Sequence, residues 1–233
     1  MKIIIIFWRL IFILWIPVLL LSASIAWGFN SLWIYTLGFQ KYQVSQATGI
    51  STPDLEKAGR GMIEYFNSKE EFVQITVNLD GKPINLFIRE EQIHLRDVKK
   101  LVWLDYEVLI LSIIYTLGFV IANIFLDGGK KRSWLAKSLL WGCGLSFILI
   151  LVMGTGTLVD FDQLFLQFHF LAFSNDFWSA PGYMIALFGG LWYDAVLIGV
   201  GFMAGLAVLL AAISLTYLLT SRNAMQNNKM LFL

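Results

Sequence analysis

The sequence predicts an integral membrane protein, mainly α-helical, built from four transmembrane helices, a small α+β extracytoplasmic cap and an aromatic interfacial or re-entrant segment. Composition is the first observation behind this reading. Of 233 residues, 58% are hydrophobic and 14% charged, against roughly 45 to 50% and 25% in soluble domains, and mean hydropathy is +0.71. The second is a set of four apolar runs of about 20 residues each, enough to cross a hydrocarbon core about 30 Å thick as helices. The third is that polar residues concentrate in one sizeable segment, 30–103, where nine basic and nine acidic residues cancel.

The apolar runs are residues 10–27, 104–126, 134–157 and 195–220. Lys2 and Arg9 ahead of the first, with Ser24 and Ala26 at its end, also suit a secretory signal. Residues 3–27 are apolar for longer than a signal core, so a retained helix is expected. The domain organisation that follows is a first transmembrane helix in 1–29, a cap in 30–103, and transmembrane helices two to four in 104–233, with an outer interfacial segment at 158–194.

Orientation follows from basic residues, which are held on the cytoplasmic side of short flanks. Lys2, Arg9, Lys130, Lys131, Arg132, Lys137, Arg222 and Lys229 all fall on one side of a four-helix arrangement, whereas residues 158–194 contain Asp160, Asp162, Asp176 and Asp194 and no Lys or Arg. Both termini are thus expected to be cytoplasmic and the cap extracytoplasmic, in the plasma membrane. The formal net charge of +1 provides no global field that would attract nucleic acid. Cys143 is the single cysteine, which excludes an internal disulfide.

Within the cap, Thr52-Pro53-Asp54 reads as a helix start, with Pro at the first helical position and an acid in the first turn. Leu55, Met62, Ile63 and Phe66 give that helix an apolar face, and its end is expected near Asn67 and Ser68. Phe72, Ile75, Val77 and Leu79, then Asp80-Gly81, then Ile84, Leu86 and Ile88 read as a β-hairpin, because a type I′ turn needs positive φ at both central residues. Pro83 places the second strand's beginning at an edge or bulge. From Glu90 the period becomes helical, with His94, Val98 and Leu101 on one face.

Residues 161–193 carry eleven aromatic side chains, yet Asp162, His169, Asn175 and Asp176 interrupt them and Pro181-Gly182 breaks the pattern. Aromatic residues concentrate at the headgroup level, and irregular backbone at membrane depth survives only against protein or a wet cavity. The stretch is therefore expected to form the wall of a site open to lipid.

His94 and His169 are the only histidines. Two predicted crossings separate them, which returns the chain to the face it left, so both imidazoles are expected on one side of the bilayer. Histidine alone, with an unperturbed pKa of about 6.5, both takes and gives a proton near neutrality. On a helix, Glu90, Glu91 and Asp97 occupy the i,i+3 and i,i+4 positions around His94, where a carboxylate on one ring nitrogen would raise the basicity of the other. A solvated helix face accounts for the same spacing. No serine or cysteine elbow, Walker loop, GxGxxG or HExxH is present, no metal motif is evident, and no cofactor is expected. Asp105, Glu107 and Asp194 lie near helix ends, which makes a poor ion or substrate pathway. What survives is acid and base chemistry on lipid, or a non-catalytic membrane protein whose outer cap binds a lipid or protein partner.

Residues 35–42 (YTLGFQKY), Thr48-Gly49-Ile50 with Leu55, Arg89-Glu90 ahead of His94, Asp97-Val98-Lys99 after it, and Phe168-His169 with Phe173, Asn175-Asp176 and Trp178 resemble the lipoprotein intramolecular transacylase (Lit) family of bacterial integral membrane proteins. The resemblance covers nearly the whole chain. It implies an acyltransferase that moves the sn-2 acyl chain of a diacylglyceryl-cysteine lipoprotein to its own N-terminal α-amine, giving a lyso-form lipoprotein. It also implies that the partners are the lipidated N-termini of lipoproteins and membrane lipid, without nucleic acid, and with a monomer expected. By position His94 and His169 match the family's histidine pair, and Arg89, Glu90, Asp97, Asn175, Asp176 and Trp178 would fall around them. Ala180-Pro181-Gly182 and Phe188-Gly189-Gly190 depart from the more polar, proline-bearing stretch expected there.

Overall fold

In the computed structural model the described residues are 2–125 and 132–230, with side chains described for 6–125 and 132–221. Expectations resting on Leu126, Lys130 and Lys131 lie outside the described residues, and those resting on Lys2, Arg222 and Lys229 lie outside the described side chains. Among the described residues, four helices are long and apolar enough to cross a membrane: α1 (Lys2–Phe29), α5 (Arg89–Phe125), α6 (Arg132–Ala172) and α8 (Leu191–Met230). On α5, for instance, Ile110, Leu111, Ile114, Leu117 and Ile121 are exposed, a display of apolar surface that water does not tolerate and lipid does.

α5 is a single 37-residue helix, so the helical period read from Glu90 continues through residue 103 into the second apolar run. At 1.5 Å per residue it runs about 55 Å, well beyond a core about 30 Å thick. The apolar run read from the sequence begins at Leu104, and the charged residues of α5 are concentrated before it, in 89–103. α6 is similarly overlong at 41 residues, and its helical geometry breaks at Asp160 (φ −157°, ψ 84°). The apolar run 134–157 precedes this break, and the part that carries His169 follows it.

The chain divides into two compact units that interleave in sequence, the first comprising residues 1–24, 107–153 and 200–233, the second 25–106 and 154–199. This division cuts across the chain-order partition expected from the sequence, because each of the four long helices contributes to both. In the first unit Phe12, Ile16, Leu20, Leu135, Met203 and Ala207 form the buried cluster. Phe12 stacks on Phe119 with ring centroids 4.3 Å apart. A Cβ at Gly142 would fall 2.7 Å from the Ile16 Cβ, so α6 approaches α1 as closely as only a small residue permits. Arg9 Nε donates to Ser138 Oγ at 3.1 Å.

The second unit holds α2 (Leu32–Lys41), α3 (Val44–Thr48), α4 (Thr52–Asn67), strands β1 (Thr76–Leu79) and β2 (Lys82–Asn85), the short α7 (Tyr183–Phe188), and the adjoining parts of the long helices. α4 starts one residue earlier than read from the sequence: Ser51 is the cap, its Oγ accepting the Asp54 N–H at 3.3 Å, and Pro53 sits at the second helical position. The side-chain oxygen satisfies a donor that the first turn leaves without a partner. Asp80 (φ 51°) and Gly81 (φ 74°) form the type I′ turn, and β1 pairs antiparallel with β2, Val77 opposite Ile84. Ile50, Leu55, Met62, Phe66, Val73, Leu86 and Leu95 are among the residues of one continuous core, into which α7 inserts Met184, Leu187 and Phe188.

Candidate active site

His94 lies in the first two turns of α5, on the buried face that also carries Glu91, Leu95 and Val102. His169 lies in the part of α6 beyond Asp160. The two imidazoles are 5% and 6% exposed. They face each other with ring centroids 5.8 Å apart and planes 25° from parallel. Both belong to the second unit.

His169 is surrounded by aromatic rings, with centroids 4.0 Å away for Phe165, 5.1 Å for Trp178, 5.3 Å for Phe173 and 5.4 Å for Phe168. Its Nδ1 lies 2.8 Å from the Phe165 carbonyl oxygen. A carbonyl only accepts, so in the neutral ring Nδ1 carries the hydrogen and Nε2 the free lone pair. Phe173 meets His94 edge-on at 4.7 Å. The Nδ1 of His94 is buried and has no hydrogen-bond partner among the described residues, so no carboxylate holds that nitrogen.

Burial pulls the pKa of His94 down to about 4, aided by the nearby His169 ring and opposed by Asp97. Burial lowers His169 as well, with the Phe165 carbonyl acting against it. A ring without water around it cannot easily hold charge. Both imidazoles are therefore neutral at pH 7 and able to accept a proton.

The remaining sequence candidates separate into two groups. Asp97 accepts from Asn175 Nδ2 at 3.2 Å and from Lys100 Nζ at 2.8 Å, and the Trp178 ring packs 5.1 Å from His169, so Trp178 touches the pair while Asp97 and Asn175 tie together the two segments that carry it. Arg89 is exposed and lies over the Phe72 ring at 3.8 Å, Glu90 is exposed, and Asp176 is exposed at the start of a 3-10 turn, Phe177–Ser179. None of these three is brought to the histidines. α6 ends at Ala172, which removes the helical spacing that would have aligned Asp176 with His169.

Two carboxylates that the sequence reading named, without counting them as site residues, are tied across the fold. Glu91 is fully buried, and its carboxylate accepts the Ile88 N–H at 3.1 Å and the Met184 N–H at 2.6 Å. Its position one turn before His94 was visible in the sequence; its partner across the fold was not. Asp194, at the start of α8, accepts from Lys41 Nζ at 2.7 Å and Tyr42 Oη at 3.0 Å. No group of three His, Cys, Asp or Glu residues suited to a metal ion occurs among the described residues.

The sequence profile of the lipoprotein intramolecular transacylase family, Lit, matches residues 10–180. The chain belongs to that family. His94, Asp97, His169, Asn175 and Trp178 all fall inside the matched stretch, whereas Met184 lies beyond it. No curated protein is significantly similar in sequence. Among solved structures, the membrane integral Lit from Bacillus cereus superposes with a TM-score of 0.81 at 16% identity, covering 96% of this chain and 100% of that one. Two further structures of that protein, with a histidine replaced by arginine or by alanine, give TM-scores of 0.75 and 0.74 at 16% identity. They cover 94% of this chain in each case, and 93% and 94% of theirs. At this identity the likeness establishes a shared membrane-integral fold.

Proposed function

We propose that this Lit family member is an extracytoplasmic-face membrane acyltransferase that moves the sn-2 acyl chain of a diacylglyceryl-cysteine lipoprotein to the cysteine α-amine, with His94 and His169 as its acid and base. The observation that carries the reading is the convergence of the chain's two histidines, buried and neutral, 5.8 Å apart. The start of α5 and the stretch of α6 beyond the break at Asp160 bring them together.

The reaction asks for what two neutral imidazoles offer. An α-amine with a pKa of about 7.7 to 8.0 is largely protonated at neutral pH and must lose a proton before it attacks the ester carbonyl. The C–N bond forms, the ester C–O bond breaks, and the glycerol oxygen leaves with a proton. His169, with Nδ1–H held by a carbonyl, presents a lone pair at Nε2 and suits the proton acceptor. The proton that His169 takes is the one the glycerol oxygen leaves with, given back by His169 itself or passed through the facing His94 ring, and the N–H of neutral His94 supports the oxyanion. Amine and ester belong to one molecule, so no covalent acyl-enzyme is needed, and holding them together contributes on the order of 7 to 11 kcal/mol in well-oriented cases.

In this reading residues 30–103 form the extracytoplasmic cap, 158–194 form an interfacial segment beside the acyl chains, both termini are cytoplasmic, and a monomer suffices. The aromatic rings around His169 supply a dry wall against which lipid is oriented. The test is expression in a bacterium that lacks lipoprotein N-acylation, followed by mass spectrometry of the N-terminal lipopeptide. Acyl transfer to the α-amine with wild type, lost in both His94→Ala and His169→Ala, supports the reading. Unchanged diacylglyceryl lipopeptides beside folded wild type would overturn it in favour of a non-catalytic lipid- or partner-binding role.

A further inference from the structure

Residues 175–184, which join the end of α6 to α7, are fastened to α5 at two points that flank His94 symmetrically. Asp97, three residues after the histidine, takes Asn175 Nδ2 at 3.2 Å. Glu91, three residues before it, takes the Met184 N–H at 2.6 Å. Trp178, whose ring packs 5.1 Å from His169, lies between the two fastenings. The second Glu91 oxygen accepts the Ile88 N–H, as a third-position glutamate does in a capping box, so one carboxylate closes the start of α5 and the start of α7 together. Gly182 makes room for this: a Cβ there would fall on the Glu91 carboxyl group.

We infer that Glu91 is a positioning residue for acyl transfer, holding segment 175–184 so that Trp178 and His169 keep their place against His94. The inference rests on the transacylase reading above for its reaction and on geometry alone for its anchor. Glu91 touches neither imidazole; it acts through the backbone of Met184. An arrangement displaced by about 1 Å can cost 10²-fold in rate, which is the scale of effect expected from releasing one end.

The test uses the full-length membrane protein in four forms, Glu91→Ala, Glu91→Gln, Gly182→Ala and the Glu91→Ala/Gly182→Ala double, with exposed Glu64→Ala as control. Two readouts are compared, lipopeptide turnover per folded molecule and amide hydrogen exchange of peptides spanning 175–184. Glu91→Ala should speed exchange there about 10-fold, the equivalent of one lost hydrogen bond of about 1.4 kcal/mol. It should also lower kcat about 10²-fold with KM within about 3-fold, and Glu91→Gln, which keeps one acceptor oxygen, should recover part of both. Gly182→Ala should mimic Glu91→Ala by displacing the carboxyl group, and the double should be no worse than Glu91→Ala, because both act on one contact. Wild-type turnover or unchanged exchange in Glu91→Ala, or losses that multiply in the double, would overturn the inference. If folded wild type itself transfers no acyl chain, the transacylase reading fails and Glu91's part in that reaction falls with it. Exchange in Glu91→Ala then still decides whether the anchor exists.

Discussion

Asn175 donates from Nδ2 to the Oδ2 of Asp97 at 3.2 Å, and this bond crosses from the end of the His169 segment to the helix of His94. Asn175 also accepts the Phe177 N–H at 3.1 Å through its Oδ1, so a single amide shapes the turn that follows α6 and ties it to α5. The Asp97 carboxylate is held in turn by Lys100 at 2.8 Å. Burial of Asp97 favours its neutral form, but hydrogen bonds from Lys100 and Asn175 outweigh it and keep the carboxyl below its usual range.

Asp97→Ala should therefore lower acyl transfer about 10-fold, the loss expected when one hydrogen bond of about 1.5 kcal/mol to a charged group is removed. Asp97→Asn, which keeps an acceptor for Asn175, should lose less. Turnover of a purified lipopeptide by both variants checks the order.

His94→Ala and His169→Ala should each reduce turnover by about 10²- to 10⁴-fold. Their double should fall well short of the product of the two losses, as groups that act as a unit do. Mass-spectrometric quantification of the N-acylated product from the three variants measures the coupling directly.

Activity should respond to pH through the substrate rather than through the histidines. Burial holds both rings below the ordinary histidine range, His94 at about 4, so the rate should fall with acidification from about pH 8 as the free amine is lost. No break is expected near 6.5. A pH–rate profile with an inflection at 6.5 that disappears in His94→Gln would contradict the neutral, buried ring.

Stability follows the same linkage. The unfolded state binds a proton at His94 with a pKa of about 6.5 and the folded state only near 4, so the stability due to the neutral ring is present above 6.5 and lost as pH falls toward 4. Wild type in detergent should lose thermal stability between pH 6.5 and 4.5 more steeply than His94→Phe, which has no proton to bind. Parallel melting curves for the two proteins would contradict this.

Gly142→Ala places a methyl group against Ile16, with the Ile13 carbonyl oxygen 3.2 Å from it. Overpacking of this kind costs about 1 to 3 kcal/mol. Melting in detergent should fall accordingly, and Ile16→Ala in the same chain should restore part of the loss.

The sequence by itself determined the apolar spans, the hairpin at Asp80-Gly81, the helix opened near Thr52 and the two histidines worth pairing. These are local properties: composition, a turn that demands positive φ, a cap, and a residue type that occurs only twice. It was less able to place boundaries. α5 runs unbroken from Arg89 to Phe125 because nothing at residue 103 interrupts its backbone bonds, and α6 continues past Asp160 to Ala172 although polar residues dilute its pattern. Only the tertiary structure decided which carboxylates matter around His94. Glu90, Glu91 and Asp97 are alike by spacing, yet Glu90 faces outward, Glu91 is fully buried on the Met184 N–H, and Asp97 meets Asn175. A helix fixes which side chains share a face, but a hydrogen bond to a residue far along the chain depends on where that chain returns, and that is set by packing of the whole core.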